Sequence, residues 1–74
     1  MKYNVGDIFC RFGYSDYRVI TEINGKYIYY RWVDDLTSTI PADIFDVLVA
    51  TGTFVLINFS SENERLAFRI KMGI

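Results

Sequence analysis

The 74-residue chain predicts a mainly β domain: an antiparallel barrel or bent sheet of about five or six strands, with one short helix over residues 41–50. Three observations carry the prediction. Asn24-Gly25 lies between two runs of alternating apolar residues, and Asn-Gly readily supplies the positive φ angles of a two-residue type I′ hairpin turn. Other short apolar runs begin and end at glycine, aspartate or serine, the residues that turn a chain. A single proline, Pro41, opens a stretch whose apolar residues fall at helical spacing.

Val5, Gly6 and Asp7 lead into a first strand over residues 8–12, with Ile8, Cys10 and Phe12 on one side. A short loop over residues 13–16 then enters the hairpin. With Asn24-Gly25 as the loop, Val19 faces Tyr30 and Thr21 faces Ile28 on a core side. Glu22 then faces Tyr27, Ile20 faces Tyr29 and Arg18 faces Arg31 on the other side. Asp34-Asp35 reads as a turn, and residues 36–40 as a β-branched fourth strand. Pro41 suits the first helical position, where its missing N–H costs nothing. Asp43 and Asp46 lie near the positive end of that helix, and Gly52 stops it. Residues 54–59 carry apolar groups on both faces and predict a central fifth strand. At the end, Ser61 with Glu64 fits a capping box, whereas Leu66, Phe68, Ile70, Met72 and Ile74 alternate. The alternation is the longer signal and predicts a last strand over residues 65–72, with a C-terminal helix as the alternative.

Residues 1–74 are expected to form one domain, because a chain this short has room for one core. It must fill that core with large side chains, and 51% of its residues are hydrophobic and 18% aromatic. One cysteine allows no internal disulfide. The first residues lack a signal-peptide pattern and no apolar run approaches the roughly 20 residues of a membrane span, so a cytoplasmic location is expected. The net charge of −1 argues against strong unspecific attraction to nucleic acid or lipid. Residues 32–64 hold six acids and no base, making the middle of the chain acidic.

Most catalytic chemistry is excluded by composition. There is no histidine, which removes Ser-His-Asp and Cys-His catalysis and, with a single cysteine, any Cys/His zinc site. Cys10, among Ile8, Phe9 and Phe12, reads as a buried thiol. Asp34-Asp35 has no calcium-loop spacing around it, and Gly6, Gly13 and Gly25 each stand at a separate turn rather than in a phosphate loop. No enzyme activity, metal or cofactor is expected, and a chain this short can hardly enclose a small-molecule substrate. What remains is the outward hairpin face. Arg18, Tyr27, Tyr29 and Arg31 would combine cations with stacking platforms for single-stranded nucleic acid. Ile20, Tyr27, Tyr29 and Val33 would form an aromatic patch for a protein. In the competing arrangement the helix or the last hairpin folds over this face and makes it core.

The Val5-Gly6-Asp7 entry, the Asn-Gly hairpin ending in Tyr30-Arg31-Trp32, the acidic turn and the short helix before the fifth strand resemble SH3-like or Tudor-like small barrels of short bacterial and bacteriophage proteins. The resemblance spans residues 5–59 and implies a binding module, with ligands meeting Tyr14, Tyr17, Tyr29 and Trp32. The expected function is non-enzymatic protein binding, as by a bacteriophage accessory or inhibitor protein that occludes a host surface. The expected contact residues are Tyr14, Arg18, Ile20, Tyr27, Tyr29, Arg31, Asp34 and Asp35, with the acids, Asp43 and Asp46 among them, steering toward a basic patch. The partner would be another protein or a second copy in a homodimer. A single-stranded nucleic-acid binder and a structural subunit of a larger assembly are the alternatives.

Overall fold

Residues 3–74 are described by a computed structural model. Five strands form one antiparallel sheet: β1 (Ile8–Arg11), β2 (Arg18–Ile23), β3 (Tyr27–Trp32), β4 (Leu36–Pro41) and β5 (Phe54–Leu56), in the order β4-β3-β2-β1-β5. The first four pair with their neighbours in sequence, and β5 returns to the far side of β1 after helix α1 (Ala42–Ala50). The sheet is open, with β4 and β5 as its edges. The barrel expectation is corrected to an open sheet, and the fifth strand is an edge rather than central.

The helix follows the expectation to within a residue. Pro41 ends β4 and flanks the first turn instead of occupying it, and Gly52, at φ +79°, closes the helix in the left-handed conformation. Its inward residue Phe45 packs with Phe9, Ile20, Ile28, Tyr30 and Phe54. Tyr3 closes this core, its ring edge-on to Phe45 and its hydroxyl donating to Asp46 Oδ1 at 2.7 Å. Burial first, then the hydrogen bond to Asp46 and its charge, push the Tyr3 hydroxyl from 10.0 up to about 12. Folding favours the neutral phenol, so this contribution to stability is intact below pH 10 and lost as pH rises through 12. Denaturation midpoints measured from neutral pH to pH 12 should fall more steeply for the wild type than for Tyr3→Phe, which has no hydroxyl to ionise. Parallel curves would remove Tyr3 as the cause.

The hairpin departs from its expected register for a local reason. Asn24 does not occupy a central turn position. Its side-chain oxygen accepts from the N–H groups of Lys26 and Tyr27, while its own N–H donates to the Tyr27 carbonyl. The bend moves on to Gly25-Lys26, and Ile23 pairs with Ile28 instead of Lys26. A bulge at Thr21 then shifts the strands again, so Ile20 pairs with Tyr30 and Arg18 with Trp32. Beyond the bulge β2 is displaced by one position from expectation, which exchanges its two faces.

Two consecutive positive φ angles do occur, at Asp34 (67°) and Asp35 (57°), in the short 3₁₀ turn Val33–Asp35 between β3 and β4. Asn-Gly adopts that conformation more readily than Asp-Asp. The double substitution Asp34→Asn with Asp35→Gly should therefore raise stability by about 1 kcal/mol, seen as a Tm increase of about 4–8 °C. An unchanged or lower Tm would mean that the Asp35 carboxylate matters more than the backbone.

The last segment is a helix, α2 (Glu62–Met72), not the expected strand. Local capping outweighs the alternation. Ser61 Oγ accepts from the Glu64 N–H, the Glu64 carboxylate takes the Ser60 hydroxyl at 2.6 Å, and Gly73 ends the helix at φ +73°. Phe68, Met72 and Ile74 cover Ile8, Val19, Tyr17 and Phe59 on the sheet face opposite α1. The Phe68 ring meets those of Tyr17 and Phe59 at 4.9 and 5.3 Å. Both faces of β1 and β2 are thus covered, one by each helix. No described helix is long and apolar enough to cross a membrane.

Candidate functional site

The side of the sheet that carries α2 is covered only over β1 and β2. Side chains alternate along β3, so Tyr27, Tyr29 and Arg31 all rise on this side. Their partners across the strand pair are Pro41, Thr39 and Thr37, and Glu22 stands opposite Tyr29. Thr21, Glu22, Tyr29, Thr37 and Thr39 line an open depression of about 480 Å³. A second, of about 400 Å³, lies between Arg31, Asp35 and the α2 residues Leu66, Arg69 and Ile70. The two adjoin because Arg31 pairs with Thr37 and lies two residues from Tyr29. Together they make a shelf floored by β3 and β4 and walled by α2.

The wall is apolar for a geometric reason. Residues two apart on a helix point to nearly opposite sides, since each step turns about 100°. A period-two apolar run wound into α2 therefore sends Phe68 and Met72 inward and Leu66 and Ile70 outward. Leu66 is 42% exposed and Ile70 83%. The sequence offers Leu66 to Met72 only as the pairing edge of a last strand, which would dock on a partner's sheet or build a dimer, and that expectation is corrected because the segment is a helix. The Ser61…Glu64 capping box was the signal that would have found Leu66 and Ile70.

Of the residues singled out from the sequence, the fold brings Tyr27, Tyr29, Arg31 and Asp35 together on the shelf. Arg31 Nη1 lies 3.2 Å from Asp35 Oδ1, and Tyr29 accepts a long hydrogen bond from Asn24. Asp34 stays exposed in the adjoining turn. Arg18 and Ile20 are not here. Ile20 is 1% exposed in the core under α1, so its expected place on a contact face is corrected. The one-position displacement of β2 turned it inward. The same displacement puts Arg18 on the α1 side, opposite to Arg31.

Arg18 is built into the other face. Its guanidinium lies 2.8 Å from Asp16 and within 5.5 Å of the Tyr30 and Trp32 ring centroids. Asp16 also holds Arg11, whose guanidinium covers the exposed Tyr14 ring at 4.2 Å. Tyr14 therefore belongs to a separate corner at the far end of β1, away from Tyr29. Tyr17, named by the resemblance, is under α2. Of the steering acids, Asp46 is engaged by Tyr3. Cys10 is buried, and burial first, then the nearby Asp16 carboxylate, raise its thiol pKa against the smaller lowering effect of Arg18. A thiol so placed is a poor nucleophile. Among the described residues no three His, Cys, Asp or Glu side chains converge.

The shelf offers hydroxyls, Arg31 faced by the Asp35 carboxylate, Arg69 held by the Ile74 carbonyl, two tyrosine rings and two aliphatic side chains. Comparison with protein-family models, with curated proteins and with solved structures finds no match to the chain.

Proposed function

We propose that the chain is a non-enzymatic protein-binding module, of the kind that acts by covering a partner's surface, and that the shelf is its contact site. The observation that carries the reading is the exposed pair Leu66 and Ile70, which share a depression with Arg31 and Asp35 on the same sheet face as Tyr27 and Tyr29. Interfaces concentrate aromatic and aliphatic anchors inside a polar rim, and Thr37, Thr39, Glu22 and Asp35 supply such a rim. Single-stranded nucleic acid fits less well. That reading needed Arg18 and Arg31 on one face, whereas they lie on opposite faces and each is matched by an aspartate.

The test pairs Tyr27→Ser with Ile70→Glu, two exposed positions at which substitution should change stability by no more than about 0.5 kcal/mol each. Proteins retained from an extract of the native cell by the immobilised wild type should be lost with the double variant, while circular dichroism and Tm stay the same. Equal retention by both would move the contact site elsewhere. Salt-sensitive binding of a labelled single-stranded oligonucleotide by the wild type would replace the reading with the nucleic-acid one.

A further inference from the structure

The free edge of β4 differs from the edges most proteins present. Natural sheets protect such strands with lysine, bulges, proline in mid-strand or a covering segment, because unpaired N–H and C=O groups recruit other strands. Here Leu36-Thr37-Ser38-Thr39-Ile40 carries no charge, pairs with β3 without a bulge and is largely exposed.

Which groups point outward follows from the ladder. The Ala42 N–H donates to the Lys26 carbonyl at 2.8 Å, so residues 26 and 42 form a directly hydrogen-bonded pair. Such pairs recur every second residue, at Ile28/Ile40, Tyr30/Ser38 and Trp32/Leu36. Thr37, Thr39 and Pro41 therefore turn their main-chain groups to the free edge. Pro41 has no N–H to offer there, as expected of proline at an edge.

We propose that β4 pairs antiparallel with β4 of a second copy of this chain, about a two-fold axis through Ser38. The strand is nearly palindromic about that residue, with threonine on either side and an aliphatic residue beyond each threonine. In this register Thr37 exchanges two main-chain hydrogen bonds with Thr39 of the other copy, and the symmetry repeats them. Side chains meet like with like: Thr37 with Thr39 on the shelf side, Leu36 with Ile40 on the α1 side. Threonine pairs and aliphatic pairs are both favourable across antiparallel strands, and no like charges face each other along the strand. Leu36, 51% exposed in the single chain, gains a cover. A register centred on Thr39 would set Pro41 against the Thr37 carbonyl, which needs a donor, so the proline disfavours that shift. The contact is isologous and closes after two copies. One sheet then runs through both, and the two shelves lie side by side on the same face, forming a wider trough.

The pairing uses Thr37 and Thr39 of the shelf's rim but is tested apart from the shelf's role, since Tyr27 and Ile70 lie off the paired edge. Size-exclusion chromatography with light scattering at about 100 µM, which populates any dimer with a Kd near 10 µM or tighter, should give twice the chain mass. Thr39→Pro removes an outward donor, leaves the main-chain ladder to β3 in place and loses only the long hydrogen bond from the Thr39 hydroxyl to the Ile28 carbonyl, and it should raise the dimer Kd at least tenfold by the same measurement. Register is read by cysteine pairing. Facing non-hydrogen-bonded positions have Cα atoms about 4.5 Å apart, within disulfide reach. Mild oxidation should therefore cross-link Ser38→Cys into a covalent dimer and leave Thr37→Cys without a cross-link on a denaturing gel, with the buried Cys10 present in both. A wild type that runs as a monomer, or cross-linking of Thr37→Cys in preference to Ser38→Cys, would overturn the proposal.

Discussion

Replacing Ile20 with aspartate should unfold the protein, although the sequence alone would place that residue on an outer surface. Ile20 pairs with Tyr30 and lies among Phe9, Ile28 and Phe45, 1% exposed. Removing the aliphatic side chain costs about 2–5 kcal/mol in lost transfer free energy and cavity formation. A carboxylate without a partner in that position adds a desolvation penalty of at least a few kcal/mol, or must take up a proton to avoid it. The sum reaches the whole stability expected of a small domain, about 5–15 kcal/mol, so Ile20→Asp should show no cooperative thermal transition by circular dichroism. Tyr27→Ser, a few residues away across the hairpin, should keep its transition. A folded Ile20→Asp protein would mean that β2 can slip back to the register in which residue 20 faces outward.

The second large loss is expected for Phe9→Ala. The Phe9 ring is fully buried, with centroids of Phe45, Phe54 and Tyr30 at 5.1, 5.2 and 5.4 Å. It touches α1 through Phe45, β3 through Tyr30 and β5 through Phe54, so no single element can move in to fill the gap. Truncation should cost about 3–5 kcal/mol, which in urea denaturation appears as a large fall in midpoint with an unchanged slope. Phe12→Ala supplies the control. Phe12, expected on one side of the first strand with Ile8 and Cys10, lies past the end of β1 and is 75% exposed. Its loss should shift stability by no more than about 0.5 kcal/mol. Equal losses at the two positions would contradict the packing described.

The positions where sequence reading and structure part share one cause. Alternation records which residues are apolar, not which are opposite one another. At Asn24 the side-chain oxygen captured two N–H groups, and the hairpin shifted. Through that shift and the Thr21 bulge, the expected constellation of Arg18, Ile20, Tyr27, Tyr29 and Arg31 separated into a core residue, a braced arginine and a shelf. At the C-terminus a five-fold alternation lost to hydrogen bonds from Ser60, Ser61 and Glu64, together with the Gly73 cap. Helix formation was local and decisive there, and it left Leu66 and Ile70 outside.

By itself the sequence determined the kind of fold and its chemical limits. Turn residues and alternation placed β1 to β4 within a residue or so, Pro41 and Gly52 bounded α1, and the lack of histidine removed the commonest catalytic groups. These features act over a few residues, or not through space at all, and a linear reading captures them. Tertiary structure decided which face of β2 is buried, that β5 lies at an edge beside β1, and that α2 covers only half of its sheet face. Each of those depends on pairing between residues far apart in the chain, where a displacement of one residue reverses inside and outside.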